Sequence, residues 1–203
     1  MTASPDTTLA AALGSRICHD LISPLGAICN GIELLGMADR AGAPEIDLIR
    51  ESVETANARI RFFRIAYGTA PDGQQIAAQE VKRVIGDYAR YARVSIEWPD
   101  MPNPCRPAAR LAFLLIQCLE AAMPFGGQIT VTRPDGGWRL RGASERMKRD
   151  EALWAGLSGG DPAPAGAPPR PDAIQFLLAR PAAGACGVSL AVGLGENRID
   201  IGF

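Results

Sequence analysis

Along the first part of the chain, apolar residues recur every three or four positions, at Leu9, Leu13, Ile17, Leu21, Leu25, Ile28, Ile32 and Leu35. Residues at that spacing share one face of a helix, so the pattern predicts a long amphipathic helix from about Thr7 to Met37. Pro24 falls inside it, removing one backbone donor and crowding the carbonyl four residues earlier, and a bend is expected one turn after His19. The run from Ala38 to Pro44, with Gly42 and Pro44, breaks the pattern. Ile46, Ile49, Val53, Ala56, Ile60, Phe63 and Tyr67 then alternate steps of three and four, predicting a second helix over Glu45 to Tyr67 with a coiled-coil seam.

Two long helices joined by a short turn make an antiparallel hairpin. Facing stripes leave Leu48, Phe62 and Ile65 uncovered, and a second hairpin related by two-fold symmetry would cover them in a four-helix bundle. A homodimer is the expectation. The polar stretch Gly68 to Gln75 carries Gly and Pro and reads as a linker between a helical unit, 1–70, and a second unit, 76–203.

The texture changes after the linker. A helix is predicted over about Ala78 to Arg93 and a short strand over Val94 to Trp98, followed by a loop with Pro99, Pro102, Pro104 and Pro107. An apolar helix follows from Ala108 to Met123. Gln128 to Arg133 and Trp138 to Arg141 alternate around Pro134-Asp135-Gly136-Gly137, which is hairpin chemistry. Glu151 to Leu157 reads as a short helix, Gly159 to Pro171 as a proline-rich mobile loop, and Ala173 to Arg180 as a helix. Val188 to Val192 and Arg198 to Phe203 form a last hairpin. The expected class is α+β, a helical hairpin followed by an α/β sandwich.

Charge narrows the partners. With 21 Lys+Arg against 22 Asp+Glu the net charge is −1, so no global field draws the chain toward nucleic acid or an anionic membrane. The apolar stretch Leu111 to Ile116 is far shorter than the roughly 18 residues of a membrane span. The N-terminal residues lack a basic segment leading into an apolar core, and a cytoplasmic location is expected. Five cysteines (Cys18, Cys29, Cys105, Cys118, Cys186) form no C-x-x-C pair and read as small core residues rather than disulfides. The single histidine, His19, excludes a His-rich metal site, and no metal ligand set is expected.

On an ideal wheel the first helix's apolar stripe centres on Leu21, and His19 falls about 160° from it. His19 therefore faces solvent, where a structural histidine would be buried with a polar partner. Its neighbours are His19-Asp20-Leu21-Ile22-Ser23-Pro24-Leu25. This run resembles the H-box of histidine kinases and related phosphotransferases, in which an acid follows the histidine and a small polar residue precedes a proline. The longer run Ser15 to Leu35 is similar to ChpT-type histidine phosphotransferases. That resemblance extends to the second unit, as a degenerate ATPase-like domain behind a dimeric hairpin.

The resemblance implies a phosphorelay in which the imidazole of His19 receives a phosphoryl group from the receiver domain of a hybrid histidine kinase and passes it to response-regulator receivers. A neutral imidazole is a competent nucleophile near neutral pH. It also implies that Asp20 holds the other ring nitrogen, although Asp20 could simply pair with Arg16 one turn back. Ser23 could bond a phosphoryl oxygen or cap the carbonyl freed by Pro24. Arg16 could neutralise phosphoryl charge or be an ordinary solvated arginine. Ser15 and Gly26 are small enough to let a partner helix approach, and Ile22 offers it an apolar contact. As alternatives, Gly26 relieves crowding beside Pro24 and Ile22 is core at the bundle edge.

An ATP-dependent kinase needs magnesium ligands and a phosphate lid. Where kinases keep an asparagine box this chain has Gln117, Ala121 and Ala122, although Glu120 stands beside them, and D-x-G-x-G is replaced by Gly142-Ala143-Ser144-Glu145. Gly193-Leu194-Gly195 reads as a hairpin turn. No cofactor is expected, magnesium coming only with the partner receiver. The alternatives are an ATP-dependent histidine kinase with a divergent nucleotide site, or a non-catalytic dimeric scaffold that binds receivers or kinases.

Overall fold

The computed structural model describes residues 5–37, 43–159 and 169–203. Helix α1 (Pro5–Met37) and helix α2 (Ala43–Ala66) form the hairpin, and α1 runs through Pro24 as one helix. Most of the breaker run lies outside the described residues, and Pro44 falls in the first turn of α2. The two helices cross closely at Gly31, where a Cβ would stand 2.6 Å from Ile49 Cγ1. A larger residue there would push the helices apart.

Then follow α3 (Ala78–Ala89), β1 (Val94–Glu97), α4 (Arg106–Ala122), β2 (Gly127–Thr132), β3 (Arg139–Ala143), α5 (Glu151–Leu157), α6 (Ile174–Ala185), β4 (Ala191–Leu194) and β5 (Arg198–Gly202). Pro107 lies in the first turn of α4 rather than ending a loop, because that turn has no use for its missing N–H. Much of the proline-rich loop, 160–168, lies outside the described residues.

The strands form one mixed sheet in the order β1-β2-β3-β5-β4, with only β1 and β2 parallel. The Pro134–Gly136 turn joins β2 to β3, with Asp135 at φ 50°. Gly193 and Leu194 lie in β4, and the last turn is Gly195 to Asn197, closed by the Gly195 N–H on the Arg198 carbonyl. The strands alternate by period two. Ile129, Val131, Leu140, Ile199 and Ile201 are buried, while Gln128, Arg139, Arg141 and Arg198 point to solvent.

Helix α4 is apolar on almost every side because it is covered on almost every side. Gly142 on β3 lets it lie close on the sheet, since a Cβ there would meet Leu119 Cδ2 at 3.0 Å. Its other flank meets α2. Phe62 and Ile65, expected to be left for a second hairpin, are fully buried against this second unit, and Phe62 stacks on Tyr88 with ring centroids 4.0 Å apart. Helix α2 thus has three faces. Ser52, Ala56 and Phe63 turn inward on the hairpin side, Ala58, Phe62 and Ile65 lie about 100 to 160° around the axis from the centre of that face toward the second unit on an ideal wheel of roughly 100° per residue, and Ile46, Val53 and Ile60 are exposed.

The cysteines are free, as expected, but only Cys118 belongs to the fully buried core; Cys18, Cys29 and Cys105 are exposed. Among the described residues no helix is long and apolar enough to cross a membrane, and no cluster of His, Cys, Asp or Glu could hold a metal ion.

Candidate functional site

His19 stands out from α1 with 83% of its side chain exposed, while the next residue, Asp20, is only 9% exposed. One step along a helix turns the side chain by about 100°, so neighbours in sequence reach opposite environments. Asp20 Oδ1 lies 3.1 Å from His19 Nδ1 and Asp20 Oδ2 accepts from Arg16 Nε at 2.9 Å. A carboxylate can only accept, so the proton of that first contact belongs to Nδ1. The other ring nitrogen, Nε2, then keeps its lone pair and faces solvent, which is the arrangement of a nucleophilic imidazole.

The two readings of Asp20 turn out to be one. It pairs with Arg16 and holds His19 at the same time, with a different oxygen for each. Arg16 is not a freely solvated arginine, because its Nη1 also donates to the carbonyl of Asp172 at 3.3 Å, before α6. Helix α2 adds a second cation, Arg59, whose Nη1 lies 4.0 Å from Asp20 Oδ1.

Ser15, Ile22, Ser23 and Gly26 surround His19 and all are exposed. A Cβ on Gly26 would meet nothing within 4 Å, so this glycine relieves no crowding inside the chain. Ile22 is 66% exposed and is not core of its own chain. Pro24 is buried, and the carbonyl it leaves unpaired is that of Asp20. No side-chain hydrogen bond of Ser23 is formed among the described residues.

Beneath the site, α4 offers two polar side chains from its apolar length. Gln117 Oε1 accepts from Tyr67 OH at 2.5 Å, and Glu120 Oε2 accepts from Tyr88 OH at 2.5 Å. Burial holds the Glu120 carboxyl above the ordinary range, against the pull of the Tyr88 hydroxyl and of Arg16 and Arg59. Burial likewise pushes the Tyr67 and Tyr88 hydroxyls far up, so both stay protonated donors. The sequence reading missed Arg59, Tyr67 and Tyr88. The signal available was Gln117 and Glu120 themselves, since polar groups inside an apolar helix require partners.

Gln117 bonds Tyr67 just past the end of α2 and Glu120 bonds Tyr88 of α3, and neither lines the cleft of about 460 Å³ between the end of α4, α5 and α6. Ala121 and Ala122 line that cleft, together with Lys148, Arg149 and Arg170. Arg170 is already paired with Asp150 at 3.1 Å and Asp172 at 2.7 Å.

A family model described as histidine phosphotransferase C-terminal domain matches residues 78–198. A protein phosphotransferase ChpT of Brucella abortus (strain 2308) is 40% identical over 128 residues, covering 61% of this chain and 59% of that protein. The alignment thus spans less than two thirds of that curated relative's length. A solved structure described as a bacterial phosphotransferase is similar over 100% of this chain and 98% of its own, with TM-score 0.80 and 27% identity.

Proposed function

The chain belongs to the histidine phosphotransferase family, and on that premise we propose that it relays phosphoryl groups between receiver-domain aspartates on Nε2 of His19. The observation that carries this reading is the contrast between His19 and Asp20, an exposed imidazole oriented through Nδ1 by a buried carboxylate. Nε2 attacks phosphorus, the bond from phosphorus to the donor aspartate oxygen breaks, and the donor keeps the electron pair as a carboxylate. Nδ1 keeps its proton, and Asp20 stabilises the positive charge that the ring acquires. Transfer onward reverses these changes on the acceptor aspartate.

The donor is the receiver domain of a hybrid histidine kinase and the acceptors are response-regulator receivers, docking over Ser15, Ile22, Ser23 and Gly26. Magnesium arrives with the receiver, and the protein acts in the cytoplasm without a cofactor of its own. Ala121 and Ala122 in the α4 cleft, with Glu120 turned away to Tyr88, support transfer without ATP. The hairpin, 1–70, assembles as a dimeric four-helix bundle and the second unit, 76–203, braces it as a degenerate ATPase-like domain. Exposed Leu25 and Ile32 on α1 and exposed Ile46, Val53 and Ile60 on α2 support the dimer. Both sets repeat every seven residues, the spacing of a bundle seam.

Incubation with a phosphorylated receiver tests the reading. Label should appear on His19 without ATP, be absent from His19→Ala, and that variant should melt within about 2 °C of wild type because an exposed side chain leaves no cavity. Label on the His19→Ala protein, or label on wild type only with ATP, would overturn it.

A further inference from the structure

Arg16 is one turn from His19 and is the obvious cation for a phosphoryl group, yet it is already engaged. Its Nε is bound to Asp20, its Nη1 to the Asp172 carbonyl, and its side chain is 21% exposed. Arg59 is the opposite case. It reaches the site from α2, is 32% exposed, and donates no side-chain hydrogen bond among the described residues. A guanidinium carries five N–H donors in a planar fork suited to phosphoryl oxygens. His19 Nδ1 and Arg59 Nη1 both lie within 4.0 Å of a single oxygen, Asp20 Oδ1. The Asp20 carboxylate therefore anchors the nucleophile and this uncommitted cation together.

We propose that Arg59 is a catalytic residue for phosphoryl transfer at His19, its guanidinium meeting the non-bridging oxygens as phosphorus moves between the receiver aspartate and Nε2. The inference rests on the relay reading of His19. In the resting protein Arg59 is held beside Asp20 by charge alone, at a distance longer than a hydrogen bond, so little is lost when it turns to an arriving phosphoryl group. Arg16 remains on the other carboxylate oxygen throughout and keeps Asp20 oriented toward Nδ1. Covalent bookkeeping is unchanged: one P–O bond breaks, one P–N bond forms, and Arg59 exchanges neither proton nor electron pair.

The test uses the full chain, with Arg59→Ala and Arg59→Lys, and two phosphoryl donors: a phosphorylated receiver and phosphoramidate, a small donor that needs no docking. Arg59→Ala should take label about tenfold or more slowly from either donor, while receiver affinity and melting temperature stay near wild type. Guanidinium ion at a non-denaturing concentration should restore part of the rate to Arg59→Ala and none to wild type. Arg59→Lys, which keeps the charge and loses the fork, should fall between. Labelling of Arg59→Ala at the wild-type rate would overturn the assignment, and so would a slow rate in a folded variant that guanidinium leaves unmoved. If wild type takes label from phosphoramidate and from no receiver, the relay reading fails, while the Arg59 comparison is still decided by the small donor.

Discussion

Asp20 Oδ1 accepts the Nδ1 proton of His19 at 3.1 Å while Arg16 holds the neighbouring oxygen at 2.9 Å. The carboxylate cannot turn without breaking one of these contacts, and the imidazole is thereby fixed as the tautomer that bares Nε2. Asp20→Asn keeps the size and removes the charge. It should slow labelling of His19 by a factor of about 10² or more, the lower end of what a positioned acid–base group contributes. Since His19 is the only histidine, its ring nitrogen resonances report the tautomer directly, and the fraction protonated at Nδ1 should fall in the variant. Transfer at the wild-type rate with an altered tautomer would separate the two effects.

The proposed docking face is open in this chain, which makes its variants clean. Gly26→Arg and Ile22→Asp add bulk or charge where nothing packs, so melting temperature should hold within about 2 °C. Transfer from a phosphorylated receiver should fall about tenfold or more in each, through weaker receiver binding. Labelling by phosphoramidate should be unchanged, because that donor uses no docking surface.

Val53 and Ile60 belong to the exposed seven-residue repeat of α2, away from the faces that meet α1 and α4. A Val53→Glu, Ile60→Glu double variant buries two charges in any two-fold bundle built on that stripe. Light scattering should give a dimer mass for wild type and a monomer mass for the variant at micromolar concentration.

Glu120 titrates higher in the fold than in the unfolded chain, mainly because it is buried. The sign follows from proton linkage: the folded state binds the proton more tightly. This contribution is fully present below the ordinary glutamate range and is lost as pH rises through the raised folded value. Glu120→Gln cannot ionise and still accepts from Tyr88 OH. Raising the pH from about 4 to 8 should therefore cost the variant less stability than wild type from this site, read by urea denaturation at each pH.

The hairpin could be read from the sequence because its order is local. Spacings of three and four residues determine which side chains share a face, and a breaker cluster marks the turn. What α2 does with those faces was not legible. Its repeat looks like one seam, yet Val53 and Ile60 point outward while Ala56 and Phe63 point inward, and buried Phe62 belongs to a third contact, made with Tyr88 and Phe113 far along the chain. His19 and Asp20 were legible for the same local reason, as consecutive positions on one helix. Arg59 was not, because an arginine on the polar flank of a second helix looks like any solvated cation until tertiary structure brings it to Asp20.

Phe62 rests on Tyr88 of α3 and, with centroids 4.6 Å apart, on Phe113 of α4. The hairpin is therefore not a portable cassette. Cut after residue 70, it would carry Ala58, Phe62 and Ile65 bare into water beside its exposed stripe, and an adhesive fragment rather than a smaller carrier would result. Helices α3 and α4 serve as the floor of the hairpin, so the residues of theirs that meet Phe62 are not free to change independently of it. Exchanging hairpins between relatives to redirect signalling should succeed only when this floor is exchanged with them.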